Sequence, residues 1–248
     1  MDLKASKPLG RKGYGSTPHL PGSRVGPGDW HIHEGQAKIL TEKARDRHDR
    51  VIVTEKLDGS CVAVAKHEGR VLAITRAGYL ASASPFTMHH LFEEWVSARE
   101  KRFAGLLADG ERCVGEWLAL AHGTRYVLPS VEDLFVGFAI VRGGNERLCH
   151  DEVRERFAAQ GVIGAHVISD GPPVSQDEAL ELAGQYGRHG AIDPIEGAVW
   201  VCERKGRFDF IAKHVVQGKV DGLYLSQVTG REDVYNQWPG APSAGAFA

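Results

Sequence analysis

Three apolar runs follow one another almost without interruption: VIVTEKL at 51–57, SCVAVAKH at 60–67 and RVLAITRA at 70–77. Only Asp58-Gly59 and Glu68-Gly69 separate them, and both pairs are of the hairpin-turn type. Strands joined so tightly are expected to be antiparallel, because a parallel pair needs a crossover of a dozen or more residues. Further strands are expected at 112–120 (RCVGEWLAL), 133–141 (DLFVGFAIV), 162–168 (VIGAHVI), 197–203 (GAVWVCE) and 207–215 (RFDFIAKHV). Helical patterns fall at 36–47, 85–99, 151–159 and 176–186, the last behind a Ser175/Glu178 capping box. Interspersed helices with turn-linked strands point to an α+β fold with largely antiparallel sheets rather than a doubly wound parallel one.

Composition narrows the class. The 248 residues are 42% hydrophobic and 25% charged, as in a folded soluble chain. No apolar run reaches the roughly 20 residues of a membrane span, and MDLKASKPLGRKGYG lacks the apolar core of a secretory signal. Four scattered cysteines with no CxxC pair indicate neither a zinc ribbon nor a disulfide framework, so a reducing cytoplasm is the expected home. His31-Ile32-His33 and His89-His90 lack a third ligand at a supporting spacing, so zinc is not expected. The net charge of −2 hides an asymmetry. Residues 1–50 carry 10 Lys+Arg against 6 Asp+Glu, leaving 20 against 26 in the remainder. A basic N-terminal segment can touch phosphates, although a solvated surface has the same composition.

The strongest local signal is Glu55-Lys56-Leu57-Asp58-Gly59-Ser60, which sets a lysine at a strand end. Lysine is nucleophilic only when neutral, which requires desolvation or a nearby cation. Alone, the motif reads equally as a surface hairpin. Further motifs in a fixed order along the chain change that: Arg76-Ala77-Gly78, Gly115-Glu116-Trp117, Phe135 to Ile140, Glu196-Gly197-Ala198-Val199 and Ile211-Ala212-Lys213.

This series resembles the ordered motifs of the covalent nucleotidyl-transferase superfamily of polynucleotide ligases and capping enzymes. More narrowly it is similar to the bacterial and phage ATP-dependent RNA ligases. EKLDGS, GEWLALAHGTRYVLPSVEDLFVGFAI and the leader TPHLPGSR carry the likeness, over residues 17–216. The resemblance implies a ligase adenylation-domain fold of α+β type, with antiparallel sheets flanking a nucleotide cleft. It implies a single domain over 1–238, with 1–35 as an extended leader packed on it and 239–248 as a flexible tail. Only about 30 residues follow Lys213, too few for a second core, so a catalytic domain alone is expected.

The implied roles are specific. Lys56 attacks the α-phosphorus of ATP to give lysyl-AMP; Glu55 lies at the adenine edge, chiefly through its backbone; Asp58 organises the ribose or a metal-bound water. Arg76 binds ribose or phosphate, Glu116 the ribose hydroxyls, and Phe138 stacks on adenine. Glu196 holds Mg²⁺ or Mn²⁺, and Lys213 pairs with the α-phosphate. His122, Arg125 and Tyr126 lie near the nucleotide or the RNA end, with Arg125 a candidate phosphate contact. The implied partners are RNA ends bearing a 5′-phosphate and a 3′-hydroxyl, together with an end-healing enzyme. Two departures stand out: Ala139 replaces an Asp, and Val216 replaces an Arg three residues after Lys213, with Lys219 nearby. Other readings of the same fold are a non-catalytic nucleotide- or RNA-end-binding module, a DNA ligase, and a GTP-using capping-type enzyme.

Overall fold

In a computed structural model of the chain, residues 7–241 are described. The first six residues of the expected leader, and the expected tail beyond residue 241, lie outside them. The helices are α1 (Glu34–Thr41), α2 (Thr87–Ser97), α3 (Glu100–Leu106), α4 (His150–Gln160), α5 (Gln176–Ala183) and α6 (Ser226–Thr229). The strands are β1 (Asp49–Lys56), β2 (Ser60–His67), β3 (Arg70–Thr75), β4 (Glu111–Trp117), β5 (Phe135–Arg142), β6 (Glu146–Arg147), β7 (Val167–Gly171), β8 (Gly197–Arg204) and β9 (Arg207–Val215). They form two antiparallel sheets, in the orders β3-β2-β4-β5-β6 and β7-β1-β8-β9. The mixed α+β class with antiparallel sheets is therefore as expected.

The chain divides into two compact units, each built on one sheet. Among the described residues, the first comprises 7–15, 60–119 and 134–164; the second comprises 16–59, 120–133 and 165–241. In the first unit, Phe92, Trp95, Phe103, Trp117 and Phe135 form a run of tilted and edge-on rings from α2, α3, β4 and β5. The Trp117 indole satisfies its N–H on the Met88 carbonyl at 3.0 Å. The opposite sheet face is lined by small and branched residues: Ala63, Ala65, Ile74, Val114, Ala139 and Val141. Ala139, where the family pattern carries Asp, is fully buried there. A carboxylate at that spot would need its own partner.

In the second unit, Val51, Val53, Ala198, Trp200, Cys202 and Ala212 face α1, α5 and Leu20 of the leader. Residues 18–24 extend this sheet along the edge of β9. The Lys213 N–H donates to the Pro18 carbonyl and the Leu20 N–H to the Lys213 carbonyl; the Arg24 N–H donates to the Val215 carbonyl.

The two expected hairpin junctions behave differently. Glu68 (φ 51°) and Gly69 (φ 72°) are both left-handed, as a tight hairpin between β2 and β3 requires, and Lys205 and Gly206 do the same between β8 and β9. Asp58-Gly59 is not a hairpin. Gly59 is not left-handed, and β1 and β2 belong to different sheets. The neighbours of β1 are β7 and β8, so no edge of β1 remains for β2 to occupy. Strand β7 also begins five residues later than the expected 162–168 run, since the apolar residues Val162 and Ile163 serve the first unit, where the Gly137 N–H donates to the Ile163 carbonyl. The single pattern at 85–99 is the helix α2 alone, with α3 as a separate short helix behind it.

Gly197 opens β8 in a conformation that few side chains adopt (φ 154°), and a Cβ there would lie 1.9 Å from the His214 carbonyl oxygen. Gly197→Ala is expected to cost about 2 kcal/mol or more, read as a lowered urea midpoint at unchanged slope.

Candidate functional site: a lysine–glutamate pair and its surroundings

Alternation along β1 decides which side chains meet. Val51, Val53 and Glu55 point into the packed face, so Ile52, Thr54 and Lys56 point to the other. Lys56 pairs across with Gly197, and Val199 pairs with both Thr54 and Lys213. Lys56 and Lys213 therefore share one sheet face. Lys56 Nζ contacts the Glu196 carboxylate from the residue just before β8. Burial pushes the Glu196 carboxyl above the usual carboxylate range; the Lys56 ammonium pulls it back, the Asp58 charge raises it again, and Lys213 lowers it. A buried carboxylate crowded by a second one is a fitting site for a hydrated divalent cation, which would relieve both charges.

Asp58 faces a loop. Its Oδ2 accepts from the Gly123 N–H (2.9 Å) and from the Thr124 hydroxyl (3.1 Å), while its own N–H donates to the Tyr126 hydroxyl (3.0 Å). Lys219 Nζ donates to the Gly123 carbonyl at 3.1 Å and to the Thr124 hydroxyl. Burial lowers the Lys219 ammonium, against the raising influence of Asp58, Glu196 and Asp193. Burial likewise lowers His122, which feels both Asp58 and Lys56. Arg125 is held in a two-pronged pair with Asp193 at 2.9 and 2.8 Å, so its guanidinium is already occupied.

Glu55 goes elsewhere. Its side chain, 3% exposed, accepts from the Arg188 N–H through Oε2 at 2.8 Å, and Oε1 has no hydrogen-bond partner among the described residues. Its N–H donates to the His166 carbonyl. Burial pushes the carboxyl up. Gly187 is required beside it, since a Cβ there would lie 2.1 Å from Glu55 Oε1.

The first unit assembles Arg76, Glu116 and Phe138. Cys61 pairs with Glu116 across β2 and β4, and Ala63 pairs with Ile74 across β2 and β3, so Glu116 shares the small-residue face with Cys61, Ala63 and Ile74. Glu116 is the one residue of β4 that is not buried. Phe138 is likewise the one such residue of β5 before Arg142, beside the register shift at Val114/Gly115. The Phe138 ring is partly buried, packed against the small-residue face. Tyr14 meets Phe138 edge-on at 5.4 Å, and Arg147 donates to the Tyr14 hydroxyl and the Phe138 carbonyl. The sequence assigns Tyr14 no role at the site, because nothing in a Gly-rich leader marks which ring will reach a strand. Arg76, at the end of β3, is exposed and donates to the Gly15 carbonyl at 3.3 Å.

The comparisons with known proteins agree with this architecture. The two antiparallel sheets are arranged as in the nucleotidyl-transferase type of fold of solved RNA ligases. The family model for RNA ligase matches residues 49–215, and the chain belongs to the RNA ligase family. No curated protein sequence matches it. Among solved structures, it is similar to Naegleria gruberi RNA ligase, in a mutant form with ATP and Mn. That match has a TM-score of 0.51 and 15% identity, over 82% of this chain and 60% of the other. Another mutant of the same protein, in its apo form, matches at TM-score 0.51 and 14% identity, over 93% and 64%. An archaeal ATP-dependent RNA ligase matches at TM-score 0.45 and 21% identity, over 67% and 42%. The likeness to the Naegleria protein is one of fold, and the chain spans about 60% of that structure's length.

Lys213 has a buried neighbour that the sequence did not reveal. His19, 1% exposed, has Nδ1 2.7 Å from the Ser23 hydroxyl and Nε2 3.2 Å from Asp29 Oδ2. Ser23 Oγ also accepts from the Val215 N–H at 2.9 Å and donates to the Arg24 carbonyl at 3.3 Å. Burial, and then Lys213, lower the imidazole to about 4. The folded value lies below the unfolded one. Stability is therefore intact above pH 6.5 and falls as the pH drops towards 4, by about 3 kcal/mol in all. His19→Asn, which keeps a polar partner for Ser23, is expected to flatten this loss in urea melts between pH 7 and 4.5. An unchanged pH slope in the variant would refute the assignment of this loss to His19.

Proposed function

We propose that the protein is an ATP-dependent RNA ligase that works through lysyl-AMP. The observation that carries this is the contact of Lys56 Nζ with the buried Glu196 carboxylate at the end of β1, in a chain of the RNA ligase family. In the first step Lys56 Nζ forms a bond to the α-phosphorus of ATP, the bond to the bridging oxygen of pyrophosphate breaks, and Nζ sheds a proton. Glu196 orients the amine and can take that proton, its carboxyl being raised by burial. Lys213, on the same sheet face, neutralises charge growing on the α-phosphate. Asp58 keeps the 123–124 loop closed beside Lys56.

Glu116, Arg76 and Phe138 serve ribose, phosphate and base in turn. The fork of Arg76 suits phosphate or ribose oxygens, and the half-exposed Phe138 ring suits stacking. Glu55 meets the adenine edge through its backbone carbonyl, its N–H being held by the His166 carbonyl. A divalent cation, Mg²⁺ or Mn²⁺, held through Glu196, would supply charge neutralisation of the phosphates. AMP then passes to a 5′-phosphate RNA end, and a 3′-hydroxyl attacks that phosphate to seal the strand and release AMP. The solved Naegleria relatives with ATP or AMP and Mn support the choice of nucleotide and ion. No helix among the described residues is long and apolar enough to cross a membrane. The same reading places the protein in cytoplasmic RNA repair beside an end-healing enzyme.

The decisive experiment uses ATP labelled at the α-phosphate, with Mg²⁺ or Mn²⁺, and denaturing electrophoresis. Wild type is expected to retain covalent label, and Lys56→Ala and Lys56→Arg to retain none, since arginine stays protonated. Absence of label in wild type would favour a non-catalytic binding module. GTP is expected to label at least tenfold less than ATP, because edge hydrogen bonds discriminate donor from acceptor. Equal labelling would revive the capping-type reading. Glu196→Ala is expected to slow labelling at least a hundredfold, with Glu196→Asp partly restored by added metal.

A further inference from the structure

A chain of net charge −2 that handles RNA must concentrate its positive charge somewhere. Several of its arginines are already held by carboxylates: Arg24 with Asp221, Arg45 and Arg204 with Asp49, Arg125 with Asp193, and Arg142 and Arg156 with Glu111. The leader of the first unit gathers cations without acidic neighbours. Residues 7–15, KPLGRKGYG, contain Lys7, Arg11 and Lys12 and no carboxylate, and the next acidic residue is Asp29. Among the described residues none of the three has a carboxylate partner.

The leader is held as a strip on the first unit rather than left loose. Arg112, 2% exposed, donates to the Gly13 carbonyl at 2.7 Å and to the Gly143 and Gly144 carbonyls at 3.0 Å each. Its guanidinium is thus matched by dipoles, and its charge adds to the strip above it. The Arg11 carbonyl sits so close to Gly78 that a Cβ there would approach it to 1.9 Å, and the Tyr14 N–H donates to the Arg76 carbonyl. Lys7 lies over the exposed ring of Tyr79, 4.6 Å from its centre. At its other end the strip reaches Tyr14, which touches Phe138.

We propose that Lys7, Arg11 and Lys12 form a phosphate-binding strip that guides a single RNA strand along the first unit towards Phe138. Three uncompensated cations in six positions on a pinned backbone suit successive phosphates, and the exposed Tyr79 ring offers a platform for a base. This rests on the RNA ligase reading for the identity of the polyanion, but the strip takes no part in forming lysyl-AMP.

The test separates the two. The probe is a 12-nucleotide single-stranded RNA with a 5′-hydroxyl and a 3′-phosphate, which can be neither adenylylated nor sealed, followed by fluorescence anisotropy across a salt series. K7A/R11A/K12A is expected to bind at least tenfold more weakly at low salt. The slope of log K against log salt should become shallower by about 2, from three contacts at about 0.7 each. The charge-preserving K7R/R11K/K12R should bind as wild type does, and labelling with ATP alone should be unchanged in both variants. Unchanged RNA affinity and slope in the alanine variant would overturn the proposal. So would a wild type that does not bind the probe, or an alanine variant that loses only its affinity for an acidic peptide. If wild type forms no lysyl-AMP while the alanine variant still loses RNA affinity, the ligase reading fails and the strip stands.

Discussion

The Asp58 carboxylate accepts from the Gly123 N–H and the Thr124 hydroxyl, and the Asp58 N–H donates to the Tyr126 hydroxyl. These three bonds replace the cross-strand bonds that a hairpin would have made, and they send the chain from one sheet to the other. Because β1 is not covered by β2, its neighbours are β7 and β8. The arrival of β8 is what brings Glu196 to Lys56. Lys219 closes the same loop from the far side, and Tyr126 is buried beneath it. Lys56, its carboxylate partner Glu196 and the loop beside them thus depend on one turn that does not form a hairpin.

The buried charges of the second unit fall into two kinds. Glu196 is crowded by Asp58 and compensated by Lys56 and Lys213, a balance that a change of charge can tip. Glu55, one residue away from Lys56, is on the opposite sheet face, where Oε2 accepts from the Arg188 N–H and Oε1 has no hydrogen-bond partner among the described residues. Strand alternation alone separates these roles, since adjacent residues cannot face the same side. His19 belongs with the first kind in one respect: it stays neutral beside Lys213, so it adds no like charge next to the cation it supports.

The leader does two structural tasks with one stretch of chain. Residues 18–24 hydrogen-bond to the C-terminal end of the edge strand β9, at Lys213 and Val215. Residues 7–15 cover the small-residue face of the other sheet with Leu9 and Tyr14. Glycines make the close approaches of this second part feasible: at Gly13 a Cβ would lie 2.6 Å from the Thr75 carbonyl.

Much of this was legible in the sequence. Strand and helix positions follow from apolar periodicity and capping, which are local. The resemblance of the ordered motifs to those of the RNA ligases is what singled out Lys56, Glu196, Lys213, Arg76, Glu116 and Phe138. Half-burial of Glu116 and Phe138 within buried strands was not legible, since exposure depends on what packs above a strand. Asp58-Gly59 misled as a hairpin, because a turn dipeptide reports its own preferences and not the competition for the edges of β1. Likewise nothing near Arg125 in the chain shows that Asp193, 68 residues away, holds it. Tyr14, His19 and Lys219 took their places only in three dimensions. Local composition determines the elements and the chemical inventory. Long-range pairing, which brings distant residues into hydrogen-bond range and buries some charges while leaving others uncompensated, decides which of that inventory meets.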